Sequence, residues 1–387
     1  MRVVIAGDFP DHPLNIVGGI QAVIYNTLVG LVKYNDLDIH IVSCEKWGKA
    51  AKQGNWVYHG DGWLAHHLKS HISIPHTLSI LTVDRHRVKQ EIRRIKPDII
   101  HAHGQAATYP WAAFDTKIPS VITVHGINTI EARLDQRGGS LQGGLRAYLW
   151  EKIEIACLKC AKDIIIISPF VENFVKPHTR ARFHFIENPV QDELFNIHRQ
   201  SVPGRILYVG SIQMRKGLAD LIRAVALLKN KIPTVHLRVA GDFSPVYEDY
   251  GQLVKKLVSE YGLEDRINLM GPVNREKILT EYQQCSVFCL PSKLEASPTV
   301  VAEAMAAGCP IVTTRIGSTD HLISDGVSGF RYTLGDDLDL VLKLKAILLS
   351  KELQDEFGKN AKQLAEKRFS TATAASATYN LYKGILS

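Results

Sequence analysis

With 387 residues, 45% of them hydrophobic and 22% charged, the chain is too long for one ordinary domain and too apolar to be disordered. No apolar run reaches the roughly 18 to 20 residues of a membrane-spanning helix, and Met1–Ala6 leads directly into Gly7-Asp8, as a first strand does and a secretory leader does not. The net charge of +7 has its excess mostly in the N-terminal half, densest from Arg85 to Lys96, and no nucleic-acid-reading motif accompanies it. The expected location is the cytoplasm. The basic stretch is either a solvated helix face or a surface attracted to an anionic acceptor or to an anionic membrane, with peripheral contact at its inner face. Six cysteines are scattered along the chain. Cys157 and Cys160 form a CxxC inside a helical pattern with no second CxxC, so all six are read as reduced core residues.

Taken in order, the N-terminal half alternates short apolar runs with amphipathic ones. Expected strands are Arg2–Ala6, Asp38–Ser43, Ile99–Ala102, Ser120–Val124, Asp163–Ile167 and His184–Ile186. Expected helices include Gln21–Lys33, Asp84–Ile95 and Leu145–Lys162. A polar stretch, Gln191–Gly204, follows and has the character of a linker. The pattern then restarts with strands Arg205–Val209, Val235–Ala240, Ile267–Leu269, Val287–Leu290 and Ile311–Thr313. Helical patterns cover Leu218–Leu228, Tyr250–Tyr261, Glu276–Cys285, Pro298–Ala307 and Leu338–Leu349. Strands alternating with helices imply crossover units and parallel sheets. The expected fold is α/β, two doubly wound Rossmann-like domains facing across a cleft. The expected domains are residues 1–190 and 191–370, with 371–387 a C-terminal helix.

Ligands of such sheets bind beyond the carboxyl ends of the strands. One strand-to-helix loop is Pro291-Ser-Lys-Leu-Glu295-Ala-Ser-Pro298-Thr299-Val300, with Glu303 one turn further on. Ser297 is the expected N-cap, with Pro298 at the first helical position. The free amides near Thr299 and Val300 suit a phosphate. Glu295 and Glu303 suit hydroxyl groups of a ribose or hexose. A second loop, Gly210-Ser-Ile-Gln-Met-Arg215-Lys216-Gly217, supplies the positive charge needed to hold a diphosphate and stabilise its departure. In the first half, Gly18-Gly19 allows close backbone approach to a ligand. His125-Gly126 and His101-Ala-His103 lie at further strand ends, as structural or as functional histidines. The His101/His103 spacing invites a metal, but no carboxylate lies beside it, so no metal is expected.

These residues resemble the GT-B-fold glycosyltransferases of family 4, the large retaining group that uses nucleotide sugars. The likeness runs through Gly18-Gly19, Lys96-Pro-Asp-Ile-Ile-His-Ala-His103, Thr123-Val-His125-Gly126, Ile186-Glu-Asn188-Pro-Val, Arg215-Lys216-Gly217 and Glu295 to Glu303. It continues in Ala304-Met-Ala-Ala-Gly308-Cys-Pro310, Gly317 and Ser324-Asp-Gly-Val-Ser-Gly329. The resemblance implies that Glu303 binds the ribose and Glu295 the transferred sugar, while Arg215 and Lys216 hold the diphosphate. It implies that His125 lines the sugar's reaction side, that Gly18-Gly19 approaches the phosphates, and that no metal is required. It further implies that residues 1–190 form the acceptor side, that 191–370 bind the nucleotide sugar, and that the helix of 371–387 packs back on the first domain. The implied partners are a nucleotide-sugar donor, with UDP favoured, and a saccharide or lipid-linked acceptor in surface polysaccharide or glycolipid synthesis. Catalytic roles thus fall on Lys216, Arg215, Glu295 and His125, and donor binding also on Gly18, Gly19, Gly210, Thr299, Val300 and Glu303. The chain departs from the family in having Ala296-Ser297-Pro298 where Gly-Phe-Gly is common, so sugar specificity does not carry across. Arg133 and Arg137, among glycine pairs just after His125, are either acceptor-binding or part of an exposed connection. A sugar-nucleotide epimerase and a non-catalytic nucleotide-sugar-binding protein are the competing readings. A nicotinamide dehydrogenase is disfavoured, because no G-x-G-x-x-G follows the first strand.

Overall fold

The computed structural model describes residues 1–13, 15–16, 18–45, 53–70, 82–104, 108–127, 130, 141–243 and 247–387. The chain divides into two compact units. Unit 1 comprises Met1–Thr129, Gly138–Pro189 and Thr371–Ser387, and unit 2 is built on Val190–Ser370.

In unit 1, β1 (Arg2–Ala6), α1 (Gly19–Leu31) and β2 (Asp38–Glu45) are followed by β3 (Trp56–Gly60), β4 (Trp63–Lys69) and α2 (Val83–Ile95). Next come β5 (Ile99–His103), α3 (Thr108–Phe114), β6 (Ser120–Val124) and α4 (Leu141–Cys160), then β7 (Asp163–Ile166), α5 (Pro169–Val175) and β8 (Arg182–Phe185). The strands form one sheet in the order β3-β4-β2-β1-β5-β6-β7-β8. Every pairing is parallel except β3 with β4. Central strands covered on both faces need continuous apolar runs, and Val3–Ala6 and Ile99–His103 are buried throughout.

The C-terminal helix, Thr371–Leu386, returns to unit 1 and packs on α1. Gly30 makes that approach possible, because a Cβ there would stand 2.4 Å from the Thr371 carbonyl oxygen and 2.5 Å from the Ala375 Cβ. Tyr34 stacks on Tyr379, with ring centroids 4.1 Å apart, and the fully buried Tyr382 joins the unit 1 core.

Unit 2 contains β9 (Arg205–Val209), α6 (Leu218–Leu228), β10 (His236–Ala240), α7 (Glu248–Glu260), β11 (Ile267–Gly271) and α8 (Arg275–Gln284). These lead into β12 (Val287–Leu290), α9 (Thr299–Ala306), β13 (Ile311–Thr314), α10 (Thr319–Leu322), β14 (Gly329–Tyr332), α11 (Asp337–Leu349) and α12 (Lys351–Arg368). Its six strands are all parallel, in the order β11-β10-β9-β12-β13-β14. Side-chain caps start several helices where the sequence provides them. Asn274 accepts from the Lys277 amide, Asp336 from Asp339 and Ser350 from Leu353.

Two expectations need correction. Ser297 is not the N-cap of α9: Pro298 occupies that position in an extended conformation, φ −71° and ψ 105°, and the helix begins at Thr299. The β3–β4 hairpin and β14 are elements that the sequence pattern does not predict. Cys160 is exposed and Cys44 only partly buried, so neither is a core residue, although all six cysteines are free. Much of the charge on α2 is partnered. Arg85 pairs with Asp115 at 2.6 Å, and Arg87 donates to the Lys69 carbonyl. Arg94 pairs with Glu91 at 2.5 Å.

Candidate active site

In unit 2, β9 and β12 lie side by side, Ile206 opposite Val287 and Leu207 opposite Phe288. Parallel neighbours deliver their following loops to the same sheet edge, so 210–217 and 291–298 meet there. The Lys293 amide donates to the Arg215 carbonyl at 2.8 Å and joins the two loops. Gly217 completes the contact. Its φ is +70°, and a Cβ on it would stand 2.0 Å from the Pro291 carbonyl oxygen.

The side chains of both loops converge on Glu295, which is only 6% exposed. Lys216 Nζ donates to Glu295 Oε1 at 2.6 Å, and Ser292 Oγ donates to the same oxygen at 2.7 Å. Arg215 Nη1 lies 3.7 Å from Oε2 and donates to the Leu294 carbonyl at 3.2 Å. Desolvating a carboxylate is costly unless it is paired, and here one carboxylate holds two cations. Such a cluster can exchange partners, because an anion placed beside Lys216 and Arg215 would compete with Glu295 for them.

Beside it, α9 starts at Thr299, and the amides of Thr299 and Val300 precede the helix's own hydrogen-bond ladder. Glu303 lies one turn along, on the same face as Thr299. Tyr282, from α8, donates its hydroxyl to Glu303 Oε2 at 2.9 Å. Burial pushes the Glu303 carboxyl up to about 7, with the Tyr282 hydrogen bond pulling the other way. Tyr282 and Ser292 escaped sequence reasoning. Ser292 adjoins the Glu295 loop and was within reach of it, whereas the Tyr282–Glu303 contact joins two helices and leaves no local signal. Gly210 follows β9 and is held by its amide to the Ala240 carbonyl at 2.9 Å.

In unit 1, Gly18 is the N-cap of α1 and Gly19 its first residue. His125 follows β6 and meets His103 from β5, Nε2 to Nδ1, at 2.7 Å. His101 Nδ1 is 2.7 Å from the Tyr382 hydroxyl, and its Nε2 is 2.6 Å from Thr123 Oγ1. Burial lowers all three histidines, His125 to about 4 and His101 to about 3. Near neutral pH they are therefore uncharged. Among the described residues no group of three or more histidines, cysteines or carboxylates could hold a metal. Likewise, no helix there is long and apolar enough to cross a membrane. Arg133 and Arg137 lie outside the described residues.

Comparison with known proteins is consistent with this layout. The family model for glycosyl transferases group 1 matches residues 190–364, and that for Glycosyltransferase Family 4 matches 17–194. An uncharacterised glycosyltransferase of Methanocaldococcus jannaschii is 23% identical over 91% of this chain and 90% of its own length. A D-inositol 3-phosphate glycosyltransferase of Arthrobacter is 26% identical over 66% of this chain. The match spans 63% of that relative, and 56% of the sulfoquinovosyl transferase of Arabidopsis thaliana. Among solved structures, sucrose-phosphate synthase from Thermosynechococcus elongatus superposes with a TM-score of 0.83 at 19% identity, covering 99% of this chain and 98% of that one. HepE of Anabaena, in complex with UDP and glucose, gives 0.75 at 18% identity over 98% and 99%. Two contiguous family models, together with the two parallel-sheet units and their GT-B neighbours, identify the chain as a member of the group 1 glycosyltransferases of GT-B fold.

Proposed function

We propose that the protein transfers a sugar from a UDP-sugar to a saccharide or lipid-linked acceptor, with retention at the anomeric carbon, in surface polysaccharide or glycolipid synthesis. The observation that carries the reading is the Lys216–Glu295–Arg215 cluster beside the start of α9. It combines cations for a diphosphate with a carboxylate for sugar hydroxyls. HepE, similar in fold, was solved with UDP and with UDP-glucose, which supports UDP as the nucleotide.

In this mechanism Glu303 accepts hydrogen bonds from the ribose hydroxyls, and Arg215 and Lys216 grip the diphosphate. The amides of Thr299 and Val300 add donors to the phosphate oxygens, and Glu295 turns to the transferred sugar. Gly210 and the Gly18-Gly19 pair keep side chains away from the phosphates, and His125 is assigned to the reacting sugar. The bond from the anomeric carbon to the diphosphate oxygen breaks, and the diphosphate leaves with the electron pair. Lys216 and Arg215 offset the charge that develops on it. The acceptor oxygen bonds to the same face of the sugar, and its proton passes to the departing phosphate oxygen. Arg133 and Arg137 are assigned to an anionic acceptor. No metal takes part, so chelator is expected to leave turnover unchanged.

Binding of UDP, GDP, ADP and their sugar conjugates, followed by thermal shift with and without magnesium, tests the donor. UDP and a UDP-sugar are expected to raise the melting temperature independently of magnesium. Lys216→Ala is expected to lower kcat on the order of 10²-fold, the scale of losing one charge-stabilising donor. Near-normal turnover in that variant, or an epimerised donor formed without acceptor, would overturn the assignment.

A further inference from the structure

Strand periodicity brings three imidazoles into one column. His101 and His103 are two positions apart on β5 and therefore share a face of the sheet. His103 is opposite Thr123 on β6, and two positions beyond Thr123 the chain reaches His125. The rings of His101 and His103 stack with centroids 4.3 Å apart, and those of His103 and His125 with centroids 5.0 Å apart at 13°. His103 is 4% exposed, and its Nε2 has no hydrogen-bond partner among the described residues. Its other nitrogen, Nδ1, is the one that meets His125 Nε2 at 2.7 Å.

Two neutral arrangements satisfy that contact. If His125 donated, His103 would have to carry its single hydrogen on the partnerless, buried Nε2. If His103 donates, only a bare lone pair is left there. A buried donor without an acceptor is rarer than an under-used acceptor, so the second arrangement prevails. We propose that His103 is a positioning residue that donates Nδ1–H to His125 Nε2 and so fixes His125 as the Nδ1–H tautomer. His125 then faces the sugar as a hydrogen-bond donor and not as a base. The proposal rests on the assignment of His125 to the reacting sugar. Burial keeps both rings neutral near pH 7, which preserves the arrangement through the physiological range.

The test is long-range ¹⁵N–¹H correlation of histidine-labelled full-length protein, with His125→Ala supplying the assignment. His125 is expected to show a protonated Nδ1 and an acceptor-type Nε2. His103→Phe retains a stacked ring without a donor. It should move the His125 hydrogen to Nε2 and lower kcat on the order of 10- to 100-fold, with UDP affinity unchanged. His103→Asn offers an amide hydrogen at the same distance from the backbone and should retain the tautomer and most of kcat. A wild-type His125 protonated on Nε2, or a His103→Phe variant with an unaltered His125 spectrum and full kcat, would overturn the proposal. If His103→Phe does not fold, the wild-type and His103→Asn spectra decide. Full activity of His125→Ala would remove the role of His125 in the reaction, and the spectra would still judge the tautomer independently.

Discussion

Glu295 and Glu303 stand in opposite electrostatic surroundings. Glu295 is clasped by Lys216, Ser292 and Arg215, while among the described residues Glu303 has a single neutral donor in Tyr282. Burial without a compensating cation raises Glu303 to about 7. Hydroxyls donating to a carboxyl favour its charged form, so under the proposed function nucleotide binding would pull the Glu303 proton off. Calorimetry of UDP binding in buffers of different protonation enthalpy should therefore detect about one proton released at pH 6 and almost none at pH 8.5. Affinity should weaken as pH falls below about 7 and lose that dependence in Glu303→Gln. Tyr282→Phe should shift the midpoint upward, since the hydroxyl favours the ionised form. Proton-neutral binding at pH 6 would contradict the role given to Glu303. The same shift acts on stability with the opposite sense. A carboxyl raised from 4.5 to about 7 contributes fully below 4.5, and that contribution is lost as pH rises through 7.

At the scale of elements, the site depends on two loops held together by backbone. Gly217→Ala requires a side chain at φ +70° and pushes against the Pro291 carbonyl. We expect it to cost roughly 1 to 3 kcal/mol and to weaken UDP binding, since the 210–217 and 291–298 loops must part. A wild-type melting temperature in this variant would show that the loops separate without penalty. The same segments explain what the sequence disclosed. Val3–Ala6, Val287–Leu290 and Ile206–Tyr208 are unbroken apolar runs that only a doubly covered parallel strand requires, so both sheets were legible. The strand-loop-helix grammar likewise pointed Arg215, Lys216 and Glu295 toward one sheet edge. The β3–β4 hairpin was not legible, because β4 contains His66 and His67, polar residues buried by tertiary partners that no local pattern declares. Ser297 misled for the converse reason. Local capping chemistry favoured it, but Pro298 is followed by Thr299 as the first helical residue.

At the scale of the whole molecule, the two units have separate cores, and their unfolding can be followed separately. All five tryptophans precede residue 151, so tryptophan fluorescence observes unit 1 alone. Removing residues 371–387 strips Ala374, Ala375, Thr378 and Tyr382 from unit 1 and leaves the His101 Nδ1 without its tyrosine. Losing the fully buried Tyr382 alone is worth about 3 to 5 kcal/mol by analogy with large-to-small aromatic changes. The fluorescence transition in urea should move to markedly lower denaturant, while nucleotide still protects unit 2. An unchanged fluorescence transition would mean that the C-terminal helix contributes little to unit 1.

The C-terminal helix also sets an order of events during synthesis. Unit 1 begins at the first residue, yet its last helix emerges from the ribosome only after all of unit 2. Unit 2 can complete its core while unit 1 still waits, with the Gly30 face of α1 uncovered. The helix that covers the Gly30 face of unit 1 thus follows unit 2 in the order of synthesis, and the packing of α1 in unit 1 is completed only when it arrives.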